Sequence, residues 1–211
     1  MSLPTRVALF GKPPVPGLVK TRLGASLGDA VAASLYRAFL LDAVAHARCL
    51  RGPITLFVDG DPTHPTLEVV ELPTCAQEGA DLGERRARCF ERELAFRVPV
   101  LLAGTDVPTL PERVWHAARA ALETHAQVYV PSVDGGYVLV GAREVPRFDG
   151  VRWSTRHALA DTLAQNPGAA VIEPWYDVDD AEDLRLLRLE LTLRPSAAPT
   201  TAAYLARLAA R

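Results

Sequence analysis

The sequence predicts a doubly wound α/β domain, with a mostly parallel sheet and helices on both faces. Short apolar runs bounded by Gly or Pro alternate with longer segments of helical periodicity, as in repeated β-α-β units. At 211 residues the chain is long enough for one substantial core. Hydrophobic residues make up 49% of the chain and charged residues 23%, a composition typical of folded globular proteins.

The first half of the chain contains four strand candidates and two helix candidates. Asp29 is placed to serve as the N-cap of the first helix. The fourth candidate alternates only weakly and is expected to be an edge strand. The predicted strands are 6–10, 54–58, 98–103 and the weak 67–72, and the predicted helices are 29–49 and 82–95.

The second half repeats this alternation. Its predicted strands are 127–130, 137–140 and 169–172, and its predicted helices are 111–124, 155–165 and 180–193. A linker over 195–199 leads into a last Ala-rich helix. We therefore expect a main domain over 1–194 and a C-terminal helical appendage over 195–211.

Charge and targeting signals exclude several classes of protein. The chain has 23 basic and 25 acidic residues, a balance that lacks the basic surface of a nucleic-acid binder. The sequence shows no signal-peptide core near its start and no run of about 18 apolar residues for a membrane span. We expect no membrane span, no nucleic-acid partner and a cytoplasmic protein.

Cysteine and histidine usage agrees with a cytoplasmic protein without a zinc site. The three cysteines, Cys49, Cys75 and Cys89, form no C-x-x-C pair and are odd in number, as expected of reduced thiols. The five histidines lack metal-ligand spacing, and no G-x-S-x-G motif occurs.

The loop after the first strand reads GKPPVPGLVKTRL and is the leading candidate for an anion site. It matches neither a Walker A motif nor a dinucleotide fingerprint. Prolines stiffen it, Gly11 and Gly17 permit close approach, and Lys12, Lys20 and Arg22 supply positive charge for a polyphosphate. Both lysines of the chain lie here. The alternative is a surface turn with solvated charges.

Acidic side chains follow later strands and suggest a metal site. Asp106 comes directly after a buried strand, and Mg²⁺ in proteins is held by one or two carboxylates together with substrate oxygens. Asp177 and Asp179 precede a helix and could supply the second carboxylate. The alternative for Asp106 is an N-cap for the helix that starts near Pro111. The segment Asp134–Gly136, taken alone, indicates a hairpin turn.

Six segments in this order carry a family resemblance: FGKPPVPGLVKTRL, GADLGER, GTDVP, DGGY, WST and DVD with EDL. They resemble a poorly characterised bacterial family of glycosyltransferase-A-like proteins with the nucleotide-diphospho-sugar transferase fold. More distantly, the layout is similar to the guanylyltransferases of molybdenum cofactor and of phospholactate, and to the cytidylyltransferase of isoprenoid synthesis. The likeness spans about residues 6–190.

The resemblance implies a role for each matching position. Gly11, Lys20 and Arg22, with Lys12 and Gly17 in the same loop, would bind the nucleotide phosphates. Gly83 and Arg85 would lie beside the base or the phosphates. Asp106, with Asp177 or Asp179, would hold Mg²⁺ or Mn²⁺. The acceptor would bind at Asp134, Gly135, Gly136 and Trp153, and the catalytic residues would be Lys20, Asp106 and Asp134.

One position departs from the glycosyltransferase pattern. Those enzymes usually carry two acids as D-x-D, whereas Pro108 occupies the second position here. Metal binding would therefore depend on an acid distant in sequence.

Three functions remain open at this point, and all place a nucleotide-binding domain over 1–194. The first is metal-dependent glycosyl transfer from an NDP-sugar to a small-molecule acceptor. The second is nucleotidyl transfer from an NTP to a phosphorylated small molecule. The third is a nucleotide-binding regulator without turnover. An open sheet edge or the terminal helix could pair two subunits as a homodimer.

Overall fold

The computed structural model describes residues 4–210 as one seven-stranded sheet with helices packed against it. The strands are β1 (Arg6–Gly11), β2 (Ile54–Val58), β3 (Thr74–Ala76), β4 (Val100–Gly104), β5 (Gln127–Pro131), β6 (Tyr137–Ala142) and β7 (Ala170–Val171). The helices are α1 (Thr21–Leu27), α2 (Asp29–Ala47), α3 (Leu82–Leu94), α4 (Glu112–Ala121), α5 (Ala158–Gln165), α6 (Ala181–Leu193) and α7 (Pro199–Ala209).

The strand order is β3-β2-β1-β4-β6-β5-β7. Strands β1 to β4 pair in parallel, and β7 pairs in parallel with β5. Only β6 is reversed, against both β4 and β5. The prediction of a mostly parallel, doubly wound sheet is confirmed.

Alternating side chains of β1 show why the sheet carries helices on both faces. Val7 and Leu9 are fully buried in a cluster that includes Trp115 of α4. Ala8 points to the opposite face, into a cluster with Phe90 of α3. A strand buried on both faces reads as a continuous apolar run, which is the pattern the sequence shows at 6–10.

The predicted strand over 67–72 is wrong. Pro65–Val70 forms a 3₁₀ helix, and the edge strand is β3. Leu67 and Val70 are its buried residues, and their spacing of three suits one face of a 3₁₀ helix. The Nδ1 atom of His64 accepts a hydrogen bond from the Thr66 N–H at the start of this segment.

The predicted N-cap at Asp29 is also wrong. Gly28 caps α2 with φ of 84°, and Asp29 is the first helical residue. Gly28 also ends the short helix α1, where its N–H donates to the Gly24 carbonyl. Helix α1 was not predicted, because its seven residues are too few to show a clear helical period.

The C-terminal helix α7 packs on α2. Leu205 and Ala198 are buried in a cluster with residues of α1, α2 and α6. The buried carboxylate of Asp42, on α2, accepts hydrogen bonds from the Thr200 and Thr201 N–H groups at 3.0 and 2.8 Å. These contacts tie α7 to the rest of the fold, and the boundary at 194/195 stays a prediction.

One helical segment has the length and composition of a membrane span. It covers Asp29–Leu50 with mean hydropathy 1.2, and 61% of the window is buried inside the protein. We expected no such stretch from the sequence. The apolar composition follows from the position of α2, whose side chains contribute to two core clusters at once.

Candidate functional site

A cleft of about 720 Å³ opens at the carboxyl ends of β1 and β4. In open α/β sheets this edge is where ligands bind. The structure brings all four sequence-predicted segments to the cleft: the loop after β1, the loop after β4, the turn between β5 and β6, and the segment before α6.

Most sequence-predicted site residues line the cleft, and three do not. The lining set comprises Gly11, Lys12, Lys20, Arg22, Arg85, Asp106, Asp134, Gly136, Trp153, Asp177 and Asp179. Gly17, Gly83 and Gly135 are not part of the lining. The functional roles of all fourteen stay predictions.

Each of the three other glycines has a structural reason. Gly17 and Gly135 adopt φ of 77° and 90°, which L side chains rarely adopt. A Cβ on Gly83 would lie 3.0 Å from Nε1 of Trp153, so a side chain there would require the ring to shift.

Lys20 lies between two acids of the cleft. Its Nζ is 2.6 Å from Oδ1 of Asp179 and 3.5 Å from Oδ2 of Asp106. Lys20 directly precedes α1, and its backbone is left-handed, with φ of 46°. Burial alone would lower the pKa of Lys20, but the charges of Asp106 and Asp179 outweigh it and raise the pKa. Lys20 is therefore a fixed positive charge at the centre of the site.

Three carboxylates converge on the same place. One oxygen from each of Asp106, Asp177 and Asp179 lies within 4.8 Å of the others. The Val178 N–H donates to the Asp106 carbonyl at 3.0 Å, which joins the two segments through the backbone. A side chain on Gly104 would collide with the Asp106 carboxylate.

The electrostatics of this acid cluster favour a cation. Burial, and after it the negative charge of Asp106, raise the pKa of Asp177 to about 6, although a hydrogen bond from Ser132 acts in the opposite direction. One lysine thus faces three acids. Oxygen-only donors in a half-buried, partly open site suit Mg²⁺ or Mn²⁺, so the residues present fit the predicted metal.

Capping explains only part of the acidic run before α6. Asp180 and Asp183 form a capping box at the start of the helix. Asp177 and Asp179 are left to face the cleft. The alternative for Asp106 is wrong, because α4 is capped by Pro111 without any side-chain hydrogen bond.

Asp59 pairs with two residues that were predicted to bind the nucleotide, Lys12 and Arg85, and was itself not predicted as a site residue. Its carboxylate lies 3.1 Å from Nζ of Lys12 and 2.9 Å from Nη1 of Arg85. The sequence Asp59-Gly-Asp-Pro62 after β2 is typical of a turn, which accounts for this aspartate without a function. Its position at the carboxyl end of β2, beside the end of β1, is the signal that could have found it.

A buried hydrogen-bond chain supports the loop after β1 and was also missed. The Oη atom of Tyr36 accepts from the Lys12 N–H at 2.9 Å and lies 2.7 Å from Oγ1 of Thr105. Thr105 donates to the Phe10 carbonyl at 3.1 Å, so Tyr36 is the donor in their mutual bond. The chain links α2, β1 and the loop after β4, and no sequence motif marks it.

On the other side of the cleft, the turn between β5 and β6 is held by Asp134. Its Oδ1 accepts from the Gly136 N–H at 2.8 Å, which confirms the hairpin turn expected there. Arg86, Tyr137 and Arg156 line this side and were not predicted.

Solved structures share this architecture. A protein from Desulfovibrio desulfuricans G20, provisionally named a nucleotide-diphospho-sugar transferase, superposes with a TM-score of 0.89 at 29% identity, over 98% of this chain and 95% of its own. The 4-diphosphocytidyl-2C-methyl-D-erythritol synthase of Anaerococcus prevotii gives 0.59 at 12% identity, over 90% and 96%. A cytidylyltransferase from Leptospira borgpetersenii gives 0.59 at 8% identity, over 98% and 94%.

The matches from Anaerococcus prevotii and Leptospira borgpetersenii show a likeness of fold alone. The Desulfovibrio match supports the nucleotide-diphospho-sugar transferase-like fold that the family resemblance implied. No curated protein matches the chain significantly. A family model for an uncharacterized protein conserved in bacteria, DUF2064, matches residues 40–155, which is more than half of the chain. The chain therefore belongs to the DUF2064 family of bacterial proteins.

Proposed function

We propose that this protein is a metal-dependent transferase that moves a glycosyl group from an NDP-sugar to a small acceptor. The observation that carries the proposal is the convergence of Asp106, Asp177 and Asp179 on Lys20 at the carboxyl ends of the strands. A concentrated set of three acids with one ammonium group suits a ligand that brings both a cation and phosphoryl oxygens.

The loop after β1 would bind the diphosphate of the donor. Lys20 is held in place by two acids, and Lys12 by Asp59, so both cations are ordered before the ligand arrives. Arg22 lines the same part of the cleft. Preordered cations cost little entropy on binding and can stabilise negative charge that develops on a leaving diphosphate.

Asp106, Asp177 and Asp179 would hold Mg²⁺ or Mn²⁺. The bound ion would neutralise the leaving diphosphate as a Lewis acid. Asp177 and Asp179 compensate for the missing second acid of the D-x-D pattern, where Pro108 stands, since their oxygens lie close to that of Asp106. Asp106 and Asp179 are 36% and 46% exposed, which leaves room for substrate oxygens.

Asp134 would act as the base on the acceptor hydroxyl in an inverting reaction. It lines the cleft, and its negative charge is felt at Asp177. One of its oxygens is taken up by the Gly136 N–H, while the other has no such bond among residues 4–210. A carboxylate with a free oxygen is a suitable proton acceptor.

Nucleotidyl transfer is the second candidate, since three cations in one loop also suit a triphosphate. In that case a phosphorylated acceptor would attack the α-phosphorus of an NTP and release pyrophosphate. The name of the Desulfovibrio relative supports glycosyl transfer. Its identity of 29% over 98% of this chain makes it more informative than the Anaerococcus and Leptospira matches.

A thermal-shift panel of NDP-sugars and NTPs, with and without Mg²⁺ or Mn²⁺, tests the proposal. Ligands that bind only the native state raise its midpoint temperature. We expect NDP-sugars to raise it in the presence of metal and to do so weakly without metal. If NTPs raise it and NDP-sugars do not, nucleotidyl transfer replaces glycosyl transfer. If neither class does, the transferase proposal fails.

We also propose that the protein acts in the cytoplasm. Cys49, Cys75 and Cys89 are all free thiols. Reduced cysteines are typical of proteins kept in a reducing compartment.

A further inference from the structure

On helix α3, Arg86 differs from its neighbour Arg85 in its contacts. The neighbouring Arg85 lies 2.9 Å from Asp59. Arg86, by contrast, forms no ion pair within residues 4–210, and its Nε is buried without a hydrogen-bond partner there. Both side chains line the cleft. An arginine that faces a cleft without a carboxylate is available to an external anion.

The guanidinium of Arg86 rests on an aromatic surface. Its Cζ lies 4.4 Å from the ring centroid of Tyr137 and 4.8 Å from that of Trp153. The two rings are 6.3 Å apart, and Phe148 packs 5.9 Å behind Trp153. Stacking of this kind fixes the plane of the guanidinium and leaves its edge N–H groups available for hydrogen bonds.

A second polar group at this place also lacks a partner. The hydroxyl of Tyr137 is buried and makes no hydrogen bond within residues 4–210. Buried polar groups without partners are uncommon and unfavourable. Arg86 Nε and Tyr137 Oη are two such groups. They belong to residues that contact each other, and both residues line the cleft.

Arg86 and Tyr137 lie on the acceptor side of the cleft, which is the side around Asp134 where the acceptor is proposed to bind. Tyr137 directly follows the turn that holds Asp134, and Ser132 of the same turn donates to Asp177 at 2.8 Å. The turn therefore connects the acid cluster to the aromatic surface. Arg86 also contacts Trp153, which was predicted to bind the acceptor.

We propose that Arg86, with the hydroxyl of Tyr137, binds an oxyanion of the acceptor, either a phosphate or a carboxylate group. This inference rests on the proposed transferase function, because it assigns the substrate class for the other side of the same cleft. The planar guanidinium matches both groups through paired N–H donors, and the tyrosine hydroxyl adds a neutral donor.

The test follows the indole N–H of Trp153 by NMR while inorganic phosphate or acetate is added to the full chain. Trp153→Phe identifies the resonance. The compared variants are Arg86→Met, which keeps an apolar side chain on the rings, and Arg86→Lys, which keeps the charge without the planar fork. Arg88→Met is the matched control, since Arg88 lies on the same helix and pairs with Glu84 at 2.7 Å.

We expect a saturable shift in the wild-type protein that weakens about 10- to 100-fold in Arg86→Met, the range for charge-assisted hydrogen bonds. Arg86→Lys should lie between the two, and Arg88→Met should match the wild type. Whichever of phosphate and acetate binds with the higher affinity identifies the acceptor group as phosphate or carboxylate. Equal affinity in Arg86→Met and Arg88→Met, or no saturable shift in the wild type, overturns the inference.

Thermal shifts with nucleotides and metal separate this inference from the proposed function. Arg86→Met should keep the stabilisation that a donor nucleotide gives to the wild type. If it loses that stabilisation, Arg86 belongs to the donor site and the acceptor assignment is wrong. If no nucleotide stabilises any variant while the Trp153 shift remains, the transferase proposal fails and the anion site at Arg86 stands alone.

Discussion

The two sides of the cleft use positive charge differently. On the donor side, Lys12 and Arg85 share Asp59, and Lys20 bridges Asp106 and Asp179. On the acceptor side, Arg86 lies on aromatic rings and pairs with no carboxylate within residues 4–210. The donor-side cations are therefore positioned by acids, and the acceptor-side cation is positioned by stacking.

This difference indicates different ligands. The pairs of Asp59 with Lys12 and Arg85 are partly exposed, and such pairs add only about 0–1 kcal/mol to stability, so they serve mainly to orient the two cations. Acids beside the cations also create a place for a metal ion, which a nucleotide-phosphate ligand brings with it. Within residues 4–210 Arg86 pairs with no acid, so it should bind anions without metal.

The largest expected effect comes from Asp106→Asn, which removes a charge from the donor-side acids. We expect Mn²⁺ affinity to fall at least about 10-fold and turnover, once a substrate is identified, to fall about 100- to 1000-fold. Electron paramagnetic resonance titration of Mn²⁺ measures the first, and steady-state kinetics the second.

Asp149→Asn is the control for this experiment, because Asp149 is an exposed acid outside the cleft. It should leave both quantities unchanged. Unchanged turnover in Asp106→Asn would remove the metal role assigned to Asp106.

Lys20→Met should separate the two ligands of the donor side. Nucleotide affinity should fall about 10- to 100-fold, since a charge-assisted contact to phosphate is lost. Mn²⁺ affinity should hold or rise, because the ammonium no longer competes for Asp106 and Asp179. Isothermal titration with each ligand provides the measurement.

Lys12→Met is the matched comparison for Lys20→Met. The Lys12 side chain is 50% exposed, compared with 7% for Lys20, so its loss should weaken nucleotide binding less. A fall in Mn²⁺ affinity as large in Lys20→Met as in Asp106→Asn would show that Lys20 organises the acids instead of competing for them.

The sequence predicted the donor side better than the acceptor side for a physical reason. Glycines, prolines and charges that follow a strand are local signals, and the edge rule for parallel sheets groups them in space. On that basis the sequence predicted that Lys20, Asp106 and Asp179 lie in one site. Asp59 was missed because its turn, Asp59–Pro62, accounts for an aspartate without any function.

The acceptor side depends on contacts that no local pattern reveals. Arg86 meets Tyr137 and Trp153 only through packing of α3 against β6 and the segment before α5. The fold itself was predictable because buried strands are continuous apolar runs. The exception at 65–70 arose because a short 3₁₀ segment buries residues at a spacing of three, which a weak alternating pattern can mimic.

A smaller effect is expected from Tyr36→Phe, which removes the hydroxyl beneath the donor-side loop. The change leaves the Lys12 N–H and the Thr105 hydroxyl without their buried partner, so the free energy of unfolding should fall by about 1–3 kcal/mol. Urea denaturation measures this. Tyr204→Phe, which loses a 3.2 Å bond to the Val31 carbonyl at a half-buried site, should cost less. Equal losses would show that Tyr36 does not specially support the loop.

The smallest effect is expected from Asp59→Asn, which makes the donor side resemble the acceptor side by freeing Lys12 and Arg85. Partial burial alone would raise the pKa of Asp59, but Lys12 and then Arg85 outweigh it and hold the pKa below its ordinary value. A depressed pKa stabilises the fold above the unfolded-state pKa, and that contribution is lost as pH falls through the folded-state pKa.

Because the Asp59 side chain is 34% exposed, solvent screens these pairs, and the cost of Asp59→Asn at neutral pH should be only a few tenths of a kcal/mol. Urea denaturation of both proteins at neutral pH and below the depressed pKa tests this, and the difference should vanish in acid. Arg85 and Lys12 should then bind inorganic phosphate without metal, as we expect of Arg86. If Asp59→Asn instead abolishes phosphate binding by the donor loop, then Lys12 and Arg85 need Asp59 to orient them. On that side of the cleft, pairing with an acid would then be a condition for binding an anion and not an obstacle to it.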